Sequence, residues 1–375
     1  VLEKEKVIII GAGVGGLATA LFLKKAGIES IVFEGASVER ESGAGFVLTP
    51  NGLNVLETLG ITQIADHSYP VKSETTYTSN NKELGSMNVS GNDLFSKTFI
   101  TISRHNLITL LLEKAKEYHI PVHYNKKLVN FEQHSDSVTA IFSDDTKIKG
   151  EILVGADGIH SRTREIIFPQ VKPIYTGYYG IHGLVSSSNV DQTMNTNASV
   201  YADFDQYLGA FVSKCSPTSK TDILWQFVGK AERKIPATEL ELADTQYIKE
   251  WLSEKISEWD NPFIELLSNT EKITARNIFE LEELPHWYHG RVTFVGDALH
   301  ATNPMLGIGA SWALEDGMYL AKMLKEHGYR DAFYYFENDR KPIIDPVRKA
   351  AANVLDKIFE LKKMTSTIYD NRIEW

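Results

Sequence analysis

Gly11, Gly13 and Gly16 stand in the run VIIIGAGVGGLATALFLKKAG, directly after an apolar strand, and Glu34 closes a second strand, SIVFE. Three glycines at this spacing do separate jobs. The first permits a tight strand-to-helix turn, the second lets the backbone approach a ligand, and the third lets helix and strand pack closely. Amides at the start of the following helix, from Val14 to about Ala26, then face a phosphate, where the helix dipole also favours negative charge. An acid about 20 residues on accepts from a ribose hydroxyl. Strand, glycines, helix, strand and acid in register read as a dinucleotide site. The competing reading is an ordinary glycine-rich turn.

Two further segments place polar groups at the ends of apolar strands. EILVGADGIHSRTR delivers Asp157 and Gly158, with Ser161 and Arg164 just beyond, and GRVTFVGDALHATNPMLGIGASWALEDGMYLAKML delivers Gly296 and Asp297 to a loop that holds Pro304, Gly307 and Gly309. Asp157 and Asp297 are candidates for ligand contacts, and each has a capping role in its own turn as the alternative. His300 invites a reading as a base and Arg164 one as a cofactor contact. The plainer readings are a structural histidine and an arginine that bridges surface acids. Cys215 reads as an ordinary partly buried thiol.

These residues must be positioned by a large soluble framework. The chain has 375 residues, is 43% hydrophobic and carries a net charge of −10, which predicts about two domains and argues against a nucleic-acid partner. One cysteine excludes an intramolecular disulfide framework, and no His or carboxylate spacing suggests a metal site. No stretch reads as a signal-peptide core or an integral membrane span, and a reducing cytoplasm is the expected location.

Alternating strand and helix signals fill the first part of the chain, which reads as α/β. Short alternating strands replace them over 73–101, a helix follows in RHNLITLLLEKAKEY, and a hairpin turns at Asp144 and Asp145. From Tyr175 to Gly229 the pattern is strand-rich and aromatic, the body of a second, sheet-based domain. Helices over 244–256 and 261–267 precede strands at 273–280 and in GRVTFVGD. The tail from Asp331 is helical, with interruptions expected at Pro342 and Pro346.

Taken together, GAGVGG, SGAGFVLTPNGL, SRHNLITLL, GADGIHSRTR and GDALHATNP resemble, in that order, the single-component FAD-dependent aromatic hydroxylases. Their members include salicylate-type and urate-type hydroxylases and the tetracycline-inactivating monooxygenases. The resemblance implies a Rossmann-like FAD-binding domain formed by 1–72, 102–173 and 274–330, a mostly antiparallel substrate-binding sheet domain formed by 73–101 and 174–273, and a C-terminal helical segment over 331–375. It further implies cofactor contacts at Gly11, Gly13, Val14, Gly16, Glu34, Arg40, Arg104 and Asp157. Asp297 is expected on a ribityl hydroxyl, and Pro304, Gly307, Ile308, Gly309, Ala310 and Ser311 beside the isoalloxazine ring. Family members commonly carry GQGxN where this chain has GIGAS, which puts Ile308 and Ser311 in place of Gln and Asn. The segment that aligns with the substrate arginine of the urate enzymes, YADFDQYLGAF, contains no arginine.

The activity so implied is hydroxylation of an aromatic or enolic small molecule through a flavin C4a-hydroperoxide, with FAD as cofactor, NADH or NADPH as transient donor and O2 as co-substrate. The flavin carries the chemistry, so no side chain is expected to be catalytic in its own right. His182, Tyr201, Phe211, Trp225, Phe227 and Met305 are the candidates for the substrate pocket, and a monomer or weak homodimer is expected. A reductase or dehydrogenase that inserts no oxygen, and a non-catalytic FAD-fold binding protein, are the rival classes.

Overall fold

A computed structural model describes residues 5–37, 45–89, 98–189, 198–217, 222–304, 307–351 and 373–375. At its centre the strand Glu5–Ile10 runs parallel to Lys147–Gly155 on one side and to Ser30–Phe33 on the other. Val122–His123 and Val292–Phe294 extend the parallel set outward. Val7, Ile8, Ile9 and Ile10 are all buried, as expected of a parallel sheet covered on both faces. The helix Val14–Lys25 lies between this sheet and the helix Gly309–Glu326. A Cβ on Gly317 would come within 2.5 Å of the Thr19 amide nitrogen, so glycine there sets how closely the two helices pack.

A second, mostly antiparallel sheet runs in the order Ile273–Leu281, Pro173–Val185, Ile223–Lys230, Leu208–Lys214 and Ala198–Asp203, continuing through Ser73–Thr78, which lies parallel to Ala198–Asp203, to Glu83–Asn88. One of its faces is closed by the helices Thr245–Lys255 and Phe263–Asn269. Between them lies a separate core that holds Tyr201, Trp225, Phe227, Trp259 and Phe263. Its other face looks toward the parallel sheet. There Phe211 packs on the first core, the Gln226 Nε2 donates to the Gly45 carbonyl at 3.1 Å, and the Thr101 hydroxyl meets that of Ser213 at 3.2 Å. Gly45–Leu48, Phe99–Ser103 and Ser68–Val71 form a small sheet between the two layers.

The structure departs from the sequence reading at three places. The strand Ile273–Leu281, which the sequence groups from 274 with the cofactor-binding segment, hydrogen-bonds instead along Pro173–Val185 at the edge of the second sheet. Phe99–Ser103 joins the small sheet. The helix Tyr329–Ala351 runs through Pro342 and Pro346 without interruption. Phe333, Phe336, Arg340, Ile344, Val347 and Ala351 recur along it at helical spacing and are all buried; this packing outweighs the two amide hydrogen bonds that the prolines cannot make. The chain end returns to the first layer, with the Trp375 ring 4.8 Å from that of Phe22. Among the described residues, no helix is long and apolar enough to cross a membrane and no cluster of His, Cys, Asp and Glu has the arrangement of a metal site.

Candidate active site and cofactor groove

Gly11 has φ +110°, and a Cβ on it would lie 2.7 Å from the Ala156 carbonyl carbon. A Cβ on Gly16 would collide with the Gly11 carbonyl oxygen. Gly13 differs from both. Its backbone is extended and caps the helix without a side-chain hydrogen bond, and a Cβ there would meet nothing within 4 Å. The turn is thus closed at its first and third glycines and open at its second, where a ligand would approach. Glu34 braces it, accepting from the Ala12 amide at 2.9 Å and from the Ala36 amide at 2.7 Å. Each of its oxygens retains a lone pair for a further donor.

Asp297 begins a four-residue helix, Asp297–His300, and is exposed although its neighbours Gly296 and Ala298 on either side are buried. Its carboxylate lies beside the start of the helix Gly309–Glu326, with Oδ1 3.9 Å from the position of a Gly309 Cβ. That helix has Ile308 at its N-cap, no side-chain cap and no acid in its first turn, so its first amides are free to meet an electron-rich group. Ile308 is buried in the first core. Ser311 is fully buried and its Oγ accepts from the Thr49 amide at 3.1 Å, close against Gly52. Both side chains of the GIGAS variant therefore serve protein packing, and only backbone is presented at the helix start. Gly307 has φ +67° beside Val47, Ala310 is half-buried and Pro304 is exposed. Arg40 and Met305 lie outside the described residues.

Asp157 is held inward. It accepts from the Ser161 hydroxyl at 2.5 Å, the Thr163 amide at 2.9 Å and the Thr163 hydroxyl at 3.0 Å. Burial raises its pKa, and these hydrogen bonds pull the other way. Arg164 is buried too, which corrects its reading as a bridge between surface acids. Its guanidinium donates to the Ala298 carbonyl at 2.9 Å and to the Ile159 carbonyl at 2.5 Å, tying the Asp157 loop to the Asp297 helix.

Beneath that helix lies a buried polar cluster of His300, Glu315, Asp316 and Arg340. Asp316 accepts from the Gly296 amide and from the Arg340 Nε, each at 2.9 Å, and meets the His300 Nε2 at 2.6 Å. Arg340 also reaches Glu315 at 3.2 Å. His300 is 1% exposed and boxed by Trp287 and Trp312; it is structural here, away from the groove.

Arg104 opens the helix Arg104–Glu117, which the Ser103 hydroxyl caps, and its guanidinium lies 5.8 Å from the Phe46 ring centre. Arg276, on the edge strand of the second sheet, shares an electrostatic environment with Arg104 and Asp297. Sequence reasoning missed it. Its alternation with Ile273 and Ala275, which belong to the far core, was the available signal.

The same alternation divides the substrate candidates. His182 and Phe211 pair with Gln226 in register and share the face toward the groove. Tyr201, Trp225 and Phe227 project to the opposite face and fill the far core, so their reading as pocket residues is corrected. Burial and the nearby Arg276 push the His182 pKa down to about 3, and its Nδ1 is buried without a hydrogen-bond partner.

A family model described as FAD binding domain matches residues 4–348. The chain belongs to this family, and FAD is its cofactor. It is an enzyme of the FAD-dependent aromatic hydroxylase type. It is 28% identical to a 6-hydroxynicotinate 3-monooxygenase of Pseudomonas fluorescens over 90% of this chain and 88% of the relative. It is also 28% identical to 3-hydroxybenzoate 6-hydroxylase 1 of Aquipseudomonas alcaligenes, over 84% and 80% of the two chains. The crystal structure of Klebsiella pneumoniae HpxO complexed with FAD and uric acid superposes with a TM-score of 0.81 at 23% identity, covering 97% of this chain and 92% of that one, a likeness of fold.

Proposed function

We propose that this enzyme uses NAD(P)H and O2 to hydroxylate an aromatic or enolic small molecule, with FAD stretched from the glycine turn to the helix that begins at Gly309. One observation carries the reading. Two helices begin without side-chain caps, at Val14 and Gly309; the glycine turn before the first is open at Gly13, and the exposed acid Asp297 lies beside the start of the second. This arrangement fits a long dinucleotide with a diphosphate in the middle and a ring that becomes anionic at one end. Bound FAD would supply the redox chemistry, a relay of two electrons from NAD(P)H to O2 that puts one oxygen atom into the substrate and releases the other as water.

The chain's own residues orient these partners and exclude water. Amides from Gly13 and Val14 hold the diphosphate, with Gly11 and Gly16 shaping the turn, and Glu34 accepts from the ribose. Asp297 accepts from a ribityl hydroxyl, and Arg104 supplies a cation to the cofactor. The amides of Gly309, Ala310 and Ser311 stabilise charge on the reduced ring. Asp157 and Arg164 keep the loops on either side of the groove in place. The face of the second sheet that carries His182 and Phe211 covers the ring and keeps bulk water from the reacting oxygen.

In this reading the substrate side is the second sheet together with the strand Ile273–Leu281, and the remaining segments before 331 bind the cofactor. The enzyme acts on a small aromatic molecule as a monomer or weak homodimer in the cytoplasm. The named relatives act on 6-hydroxynicotinate and 3-hydroxybenzoate, which supports an aromatic ring with polar substituents. O2 uptake and NAD(P)H oxidation, measured against a panel of hydroxylated aromatics with mass analysis of the products, test the proposal. Uptake with a product one oxygen heavier is expected. Substrate-dependent NAD(P)H oxidation without O2 uptake or an oxygenated product would assign a reductase or dehydrogenase instead.

A further inference from the structure

The end of the strand Ile273–Leu281, the helix Tyr329–Ala351 and the turn that follows Asp297–His300 line a cavity of about 150 Å³. None of the residues assigned to the cofactor groove lines it. A cavity of this volume takes a molecule the size of benzene, about six non-hydrogen atoms, so its occupant is small.

The charges around this cavity are equal in number but not in pairing. Lys341 reaches both Glu283, at 2.6 Å, and Asp345, at 3.0 Å. Lys349 adds a contact to Glu283 at 3.3 Å and Arg348 one to Asp345 at 3.4 Å. Two acids thus take up three cations. Glu280 is left over. It stands half-buried on the cavity wall and is attracted by Arg348, yet it makes no hydrogen bond or ion pair among the described residues. Arg348, whose side chain is largely buried, donates to the Leu281 carbonyl and to Asp345; a guanidinium has further N–H groups for another acceptor. The Thr302 hydroxyl, also on the wall, has no partner among the described residues.

An acid and a guanidinium that attract each other across a gap select the charge of what fills it. A lone cation there is held by Glu280 and repelled by Arg348, and a lone anion meets the reverse, so each attraction is offset at short range. A neutral polyol forms hydrogen bonds but compensates neither charge. A short zwitterion compensates both, with a charge-assisted hydrogen bond at each end.

We propose that this cavity is a second small-molecule site, which binds a short α-amino acid with its ammonium on Glu280 and its carboxylate on Arg348 and Lys349. Neither contact depends on oxygen insertion. The Leu281 amide donates to the Ala301 carbonyl at 3.0 Å, so the bound molecule would sit where the helix Tyr329–Ala351 meets the turn that leads through Thr302 to Pro304.

The experiment is calorimetric titration of the FAD-loaded enzyme with L-alanine, which matches the cavity in size, and with three controls: ethylamine keeps only the cation, propionate only the anion, and glycerol neither. L-Alanine should bind at least about tenfold more tightly than any control, the scale of one charge-assisted hydrogen bond. Glu280→Gln removes the acid and should weaken L-alanine at least about tenfold while leaving glycerol unchanged. Lys349→Met, at a position whose side chain is 73% exposed, should weaken it about two- to fivefold. Thermal melts and FAD stoichiometry equal to wild type show that the variants are intact, and Lys349→Met alone decides if Glu280→Gln does not fold. A wild type with no saturable L-alanine binding up to about 50 mM overturns the proposal. So does a control that binds as tightly as L-alanine, or wild-type affinity in either variant.

Discussion

Replacing Arg340 with Met removes the cation that neutralises two acids inside the protein. Arg340 is 3% exposed, Asp316 0% and Glu315 5%. Burial disfavours the ionised form of Asp316, but His300 and Arg340 outweigh it and hold the carboxyl below its usual range. Burial also opposes the charge on Arg340, and Glu315 and Asp316 outweigh it in turn. Breaking such a pair from one side costs about 3–5 kcal/mol, because a charge is left without compensation. An unfolding entropy of about 2.1 cal/mol/K per residue over 375 residues comes to roughly 0.8 kcal/mol/K, so Tm should drop by about 4–6 °C. The damage should reach the groove as well, since Asp316 also fixes the Gly296 amide next to Asp297. Differential scanning calorimetry of the FAD-free protein at neutral pH measures the first effect and FAD affinity the second. The double variant Asp316→Asn/Arg340→Met should recover more than half of the loss, because it leaves fewer unpaired charges. An Arg340→Met protein that melts within about 1 °C of wild type, or single losses that simply add in the double variant, would refute the reasoning.

Three other outcomes follow from single sites. Gly13→Val meets no protein atom within 4 Å at a φ of −77° that any residue adopts; the FAD-free protein should melt as wild type does, while FAD affinity falls at least about tenfold. A matching loss of Tm would mean that the glycine serves packing. Cys215, whose pKa burial and then Asp222 push up to about 12, should resist iodoacetamide at pH 8 until the protein is unfolded, and rapid labelling of native protein would contradict its burial. Native His182 is held neutral down to about pH 3, whereas the unfolded imidazole protonates near 6.5. Its contribution to stability is therefore complete above about pH 6.5 and lost as the pH falls toward 3. His182→Gln should flatten the acid limb of the stability profile, and an unchanged slope between pH 6.5 and 4 would count against this.

The glycine turn, the strand that ends near Asp297 and the helix from Gly309 are legible in the sequence because each depends on local chemistry: a backbone without Cβ, an acid after an apolar strand, a helix that starts at glycine. The substrate side is not legible in the same way. Period-two alternation shows that Trp225 and Phe227 share a face, but which face meets the cofactor depends on where the helices Thr245–Lys255 and Phe263–Asn269 pack, a long-range fact. The same rule, read with the far core in view, assigns Arg276 to the groove. Pro342 and Pro346 misled because the local rule against proline in helices takes no account of a buried face from Phe333 to Ala351. Ser311, suggested by the resemblance as a flavin contact, is turned away by Thr49, a partner 262 residues distant in sequence.

The most direct measurement is an equilibrium titration of the FAD-free protein with FAD, followed by flavin fluorescence and absorbance, for the wild type and Asp297→Ala. The wild type should bind one FAD per chain and turn yellow. Asp297→Ala should weaken binding at least about tenfold, the scale of one lost hydrogen bond to a charged group. A wild type that takes up no FAD, or an Asp297→Ala variant with undiminished affinity, would contradict the placement of the flavin along this groove.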